Sequence, residues 1–382
     1  MYFNQIKTFL FLSLYILVLC FSACVDNERL QEQRWKAEYD AKNREKKARE
    51  EKALKLTLKG HNAPVKQVTF TPDGTNIISS AGSKALGEIN IWDVQTGSLR
   101  SSYKLNKSFD KIAFSPDGKT CALIVGNNIE LFEIGTNQSP RIIKLTPPLH
   151  AVSLSFSPDG SLIAAAVTKY PNTSDGAPYR YDDFSVQIWD TQSGNKKANT
   201  SSAKWGGFVV DFSPDGKVIG TNSDKNVILW ESTDAKMTSI LKGRELTGLN
   251  PNGQSIPPLN TALKFLPDNR SVIVGDYQGG LRKYDISSGK SEYISNESLS
   301  SPGTIQTIST SSDGKWFASD SRDEIQIFQI TSGNAKIIFT LKSEISTDFY
   351  SLCLSPDGKY IAAGLDDKTI KVWETAALQN KE

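Results

Sequence analysis

Histidine is almost absent from this chain: His61 and His150 are the two in 382 residues. With four cysteines and no short-spaced cluster of His and Cys, the ligand spacing of a zinc site is excluded. Nucleophilic catalysis by Ser or Cys wants a neighbouring base, and neither histidine lies in a motif that supplies one. A G-x-S-x-G elbow, a P-loop and a Gly-rich dinucleotide turn are all missing. The sequence therefore offers no enzyme, and it implies no metal and no cofactor. Net charge is nearly absent too, since 44 Lys and Arg face 42 Asp and Glu. Beyond residue 59 the balance is 32 basic to 34 acidic. No Lys/Arg stripe gives the electrostatic footprint of phosphate binding, which argues against nucleic acid as a partner.

What the chain has in plenty is one phrase. FTPDG stands at 70–74, FSPDG at 114–118, 156–160 and 212–216, and LSPDG at 354–358, with weaker copies FLPDN at 265–269 and TSSDG at 310–314. Proline presets φ, Asp bonds to backbone two residues on, and Gly (or Asn269) accepts positive φ, so each copy is a tight turn. Short apolar runs flank each one, such as Val65, Val68 and Phe70 before it and Ile77 and Ile78 after it. Strand, turn, strand is a hairpin. A third run ends in an aromatic: Trp92, Phe132, Trp189, Trp230, Tyr284, Phe328 and Trp373. A fourth, more exposed strand follows, for example residues 141–145. The unit recurs about every 40–45 residues, with insertions.

Four strands per unit, an aromatic closing the third and an acidic residue often after it: in these features residues 54–376 resemble the WD-repeat family of β-propellers. The resemblance implies an all-β, seven-bladed propeller over 53–376, with 377–382 as a tail. It also implies that Trp92, Trp189, Trp230 and Trp373 are core aromatics. The stretch ALKLTLKGH (53–61) reads as a fourth strand with nothing before it to complete a blade, and the seventh unit stops after three strands. The first strand can thus close the last blade and remove the free edges. One departure stands out. Many members hold each blade by a buried His–Asp network, but here only His61 is correctly placed, and the matching Asp224 and Asp367 lie in other units. The expectation is a ring stabilised by apolar packing, with the polar network largely missing.

The only long apolar run lies from Phe9 to Phe21, behind Lys7. It falls short of the roughly 20 residues of a membrane helix and suits a signal-peptide core, taken as 1–23. Ser22-Ala23-Cys24 then resembles the bacterial lipoprotein box, which implies a fatty-acylated Cys24 in the cell envelope, in either membrane; Phe21 departs from the usual aliphatic. An ordinary secretory signal and an uncleaved anchor are the alternatives. Cys121 and Cys353 fall in blades 2 and 7, which are not neighbours in a ring of seven, so they are expected as small buried apolar residues without a disulfide.

Residues 24–52 lack Pro and Gly and carry opposite charges at i,i+4: Glu32–Lys36, Glu38–Lys42, Asp40–Arg44 and Glu45–Arg49. They read as a lipid-anchored, charged helical stalk or, more blandly, a frayed linker. Its small basic excess favours anionic headgroups slightly.

Two insertions remain, 168–185 and 243–261. In the family both loop types open on the face opposite the Pro-Asp-Gly turns. Tyr170, Tyr179, Arg180, Tyr181 and Arg244, with Trp205 from the loop entering blade 4, form the aromatic and Arg set enriched in interface hot spots. The competing reading is of tolerated insertions that pack on themselves. The function expected from all this is a non-enzymatic, membrane-tethered scaffold, monomeric in its propeller, that presents a rigid face to an unidentified protein. The alternative is a periplasmic or surface receptor or enzyme using the central channel for a small molecule or glycan.

Overall fold

A computed structural model describes residues 29–82, 86–105, 107–136, 138–169, 184–200, 209–223, 226–243, 260–276, 279–294, 304–321, 324–331, 334–342 and 348–379. The chain divides into two units, 1–52 and 53–382. In the first, a helix runs over residues 29–53. Two of the anticipated ion pairs form on it, Glu38–Lys42 at 3.0 Å and Glu45–Arg49 at 3.3 Å. Trp35 stacks on Tyr39 at a centroid distance of 5.4 Å, and both stay exposed. Among the described residues no helix is long and apolar enough to cross a membrane. The apolar run and Cys24 lie outside the described residues.

The second unit is seven four-stranded antiparallel sheets. Six are built from consecutive strands; in the seventh, Leu54–Lys59 pairs antiparallel with Thr369–Glu374, the strand of Trp373. The first strand of each blade, such as Val65–Phe70, Val210–Phe212 or Phe349–Leu354, lies against the first strand of a neighbour, so the first strands line the axis. The core is divided among seven clusters, each shared by two successive blades, and one of them joins blade 7 to blade 1. This is why the strands are apolar on both faces: each sheet is sandwiched between two others.

The aromatic that ends each third strand faces the preceding blade. Trp92 packs with Ile370 and Val372, Trp189 with Leu131 and Ile143, Trp230 with Ala164 and Val186, and Trp373 with Ile327 and Phe339. All four tryptophans are at most 5% exposed. The acid after the aromatic has a local task. Asp93, Asp190 and Asp285 accept turn amides from Thr96 at 2.8 Å, Ser193 at 2.7 Å and Ser288 at 2.8 Å, fixing the turn into the fourth strand.

The repeated turns also touch one another. Each Asp accepts the amide two residues on, at 3.0 Å for Asp117–Lys119, and the Ser or Thr before Pro accepts the amide five residues on. The turn glycine then seats on the turn of the preceding blade: Gly160 against Pro116, Gly216 against Pro158, and Gly74 against Pro356 across the closure. At Gly358 the constraint is double, since φ is +68° and a Cβ would come 2.8 Å from Trp316 Cδ1. Blade 5 has Asn269 there, at φ 54°, and its Oδ1 accepts the Asp215 amide at 2.8 Å, linking turn to turn by a hydrogen bond instead.

Candidate interaction surfaces of the ring

Two kinds of polar structure sit inside this apolar frame. The first is in blade 1. Trp92 Nε1–H donates to Ser79 Oγ at 2.7 Å, and Ser79 Oγ lies 2.7 Å from His61 Nε2. His61 Nδ1 lies 2.8 Å from Glu88 Oε1, which also accepts the Asn62 amide at 2.7 Å. Burial lowers the His61 pKa despite the carboxylate beside it. A neutral ring with its hydrogen on Nδ1 makes one chain, indole to hydroxyl, hydroxyl to Nε2 and Nδ1–H to carboxylate, with the Asn90 side-chain amide 3.2 Å from the same Nδ1. Burial works against ionised Glu88, but the Asn62 amide and His61 outweigh it and hold its pKa down.

The expectation that the buried polar network would be largely missing is therefore corrected for blade 1, where Glu88 supplies the acid. A search for Asp in the turn overlooks Glu88, which starts from the third strand with one more methylene of reach. Elsewhere the network shrinks. In blade 4, Trp230 Nε1–H donates to Thr221 Oγ1 at 3.0 Å. In blades 3 and 7 the position equivalent to Ser79 is Ala165 or Ala363, by pairing register. Asp367 bonds locally to Thr369, at 2.6 Å to its hydroxyl, and Asp224 lies outside the described residues.

The second polar structure is a girdle around the axis. One residue before the last of each first strand, or its equivalent, come Thr69, Ala113, Ser155, Asp211, Lys264, Ser309 and Cys353. Lys264 Nζ donates to Asp211 Oδ1 at 2.9 Å, and Ser155 reaches the same oxygen at 3.4 Å. Cys353 Sγ lies 3.9 Å from the Thr69 hydroxyl and 3.8 Å from that of Ser309. Cys353 is thus half-buried among hydroxyls, not the buried apolar residue expected, because its position faces the axis. Cys121 is fully buried, which pushes its thiol up to about 12, and both thiols are free.

One buried carboxylate is poorly satisfied. Asp320 in blade 6 is 1% exposed; its Oδ1 accepts the amides of Thr307 at 2.6 Å and Gln306 at 2.9 Å, and its Oδ2 has no partner. Burial raises its pKa to about 6. In blade 4 the equivalent residue is Asn222, whose Oδ1 accepts the Val209 amide at 2.9 Å while its Nδ2 donates to the Asn260 carbonyl.

On the outside, a cleft of about 270 Å³ between blades 2 and 3 is lined by Asp117, Asp159 and Arg141. These groups are already engaged: the two carboxylates hold their turns, and Arg141 donates to the Thr191 carbonyl. The residues singled out for partner binding, Tyr170, Tyr179, Arg180, Tyr181, Trp205 and Arg244, lie outside the described residues. The roots of the two insertions are described. Lys169 pairs with Leu149 at the end of blade 3 away from its Pro-Asp-Gly turn, and Leu241 and Asn260 end their strands on that same side of blades 4 and 5.

Comparison with known proteins fits this geometry. The WD domain, G-beta repeat model matches residues 52–93 and 335–374, one at each end of the ring. The chain is 25% identical over 337 residues to apoptotic protease-activating factor 1 of Danio rerio, covering 85% of this chain and 24% of that protein. It is 24% identical over 335 residues to protein groucho of Drosophila melanogaster, covering 84% and 40%. Against target of rapamycin complex subunit LST8 of Saccharomyces cerevisiae it is 30% identical over 114 residues, covering 30% and 37%. The chain spans well under half the length of each relative. Seven four-stranded sheets, with an aromatic closing the third strand of each, make the second unit a seven-bladed β-propeller, and the matches make it similar to WD-repeat proteins.

Proposed function

We propose that this protein is a non-enzymatic interaction scaffold, tethered to a bacterial envelope membrane by lipid on Cys24, with the ring offering its insertion-bearing face to a protein partner. The observation that carries this reading is the contrast between a frame locked by seven inter-blade cores and two long connections rooted on one side of it. Binding residues concentrate on loops held by rigid scaffolds. Relatives named as a complex subunit and, in the LEUNIG_HOMOLOG protein of Arabidopsis thaliana, a transcriptional corepressor support assembly in place of catalysis. The polar groups of the ring support it as well: His61, Asp211 and the turn aspartates are tied to structural partners.

Affinity recovery from detergent-solubilised cells tests the reading. Tyr181→Ala and Trp205→Ala should weaken capture of a partner by about 2 kcal/mol or more at unchanged melting temperature. Lys119→Ala and Lys217→Ala, on the turn side, should not. Normal capture by all four variants would overturn the choice of face. The tether is tested by fatty-acid labelling, which should disappear in Cys24→Ala; equal labelling of both proteins contradicts it. We further propose that Leu54–Lys59 is the closure of the ring. Removing residues 1–52 should then leave a cooperative melt and removing 1–60 should abolish it, whereas two similar melts would place the closure elsewhere.

A further inference from the structure

The first strands carry charges at both ends of the channel, and the two ends treat them differently. Near the turns, Lys264 and Asp211 neutralise each other at 2.9 Å. Towards the other mouth stand Lys66 of blade 1 and Lys111 of blade 2, and neither has a carboxylate within ion-pair distance among the described residues. Lys66 is aimed by a β-bulge: Val65 pairs with Ala81 and Gln67 with Ser80, which leaves Lys66 as the extra residue. Its Nζ rests 4.2 Å above the ring of Tyr350, on the first strand of blade 7. Lys111 immediately precedes the first strand of blade 2, Ile112–Phe114, whose Ile112 is buried in the interface with blade 1.

Lys111 keeps solvent contact while protein crowds it, and that crowding, with Lys66 nearby, lowers its pKa. The acid that acts on it most, Asp320, is fully buried on backbone amides and offers no surface for a contact. Two solvent-accessible ammonium groups at the same end of successive first strands, with no carboxylate at ion-pair distance among the described residues, set up a positive potential there. Elsewhere the ring pairs such lysines: Lys107 with Glu130 at 2.7 Å, Lys342 with Glu324 at 2.8 Å.

We propose that Lys66 and Lys111 form an anion site in the channel mouth opposite the turns, built for an oxyanion group, carboxylate or phosphate. The Tyr350 ring holds Lys66 in place beneath it. The group can arrive on a free small molecule or on an acidic side chain of a docked protein, and the site does not depend on the scaffold reading.

The test is titration calorimetry on the full chain in detergent, at low salt, with citrate, inorganic phosphate and a Glu-rich hexapeptide as separate probes. Wild type should bind at least one probe, and Lys66→Gln and Lys111→Gln should each weaken that binding tenfold or more. Lys104→Gln, on an exposed outer strand, is the control and should bind as wild type. Loss confined to citrate or phosphate assigns a small-molecule source; loss confined to the peptide assigns a protein-borne carboxylate. No binding of any probe by wild type, or binding at the wild-type level by the Lys66→Gln and Lys111→Gln proteins, overturns the site. Melting curves keep the variants interpretable, since both side chains are solvent-accessible and their loss should leave the fold intact.

Discussion

Blades 1 and 3 solve one packing problem in two ways. Both end the third strand in a tryptophan 2% exposed against the preceding blade. In blade 1 the indole N–H enters a chain of Ser79, His61 and Glu88; in blade 3 the same register position is Ala165, and the neighbours Ala164 and Ala166 are equally buried. The difference teaches that the aromatic and its interface are what the ring requires, and that the polar network is an addition one blade retains. Blade 1 meets the closing blade 7, where Gly60 sits with its absent Cβ 3.1 Å from Trp92, so the network lies at the joint between the two ends of the ring.

If the interface dominates, Trp92→Ala and Trp189→Ala should destabilise about equally, by about 3–5 kcal/mol each. Denaturant unfolding of the two variants checks this. A loss at Trp92 far exceeding that at Trp189 would make the network, not the interface, the main support.

A second comparison, Asn222 in blade 4 with Asp320 in blade 6, sharpens the same point. A carboxyl pKa raised to about 6 means that the folded state holds its proton more tightly than the unfolded chain, whose value is about 3.9. Stability from this group is therefore full below about pH 4, falls as pH rises to about 6, and stays low above; the gap corresponds to about 3 kcal/mol. Asp320→Asn should raise the melting temperature at pH 7.5, the amide taking the role it has at Asn222, and the gain should vanish at pH 4. A pH-independent effect would show that proton binding at this carboxyl is not the cause.

The fold was legible because its signals are local and repeated. Pro, Asp and Gly are demanded by the turn itself, and the aromatic falls at the end of the same strand each time. Glu88 was not legible, since it meets His61 only once strands pair across 27 residues. Lys66 and Lys111 were hidden for another reason. Propeller strands are apolar on both faces, so alternation does not say which residue faces the axis, and a bulge decides it for Lys66. The equivalence of Asp320 and Asn222 likewise exists only in the pairing register. Of the interaction residues, the sequence pointed to the insertions, and their described roots lie on the side that the family resemblance implied.

The smallest effects should come from within the blade 1 network. Ser79→Ala leaves the Trp92 N–H and His61 Nε2 without their shared partner and should cost about 1–3 kcal/mol. Ala165→Ser, its mirror in blade 3, should bring no gain, because the histidine of that blade, His150, pairs with Thr168 and Ala165 pairs with Leu154, so the His61 arrangement is not repeated there. Thermal melts of the two variants decide it; a stabilising Ala165→Ser would mean that blade 3 lacks something it needs.

The central claim is that the insertion-bearing face, not the ring of turns, meets a protein partner. A photo-crosslinking residue placed at Tyr181 or, separately, at Lys217 tests it most directly in intact cells. The account predicts a discrete protein adduct from position 181 and none from 217. An adduct from 217 alone would contradict it.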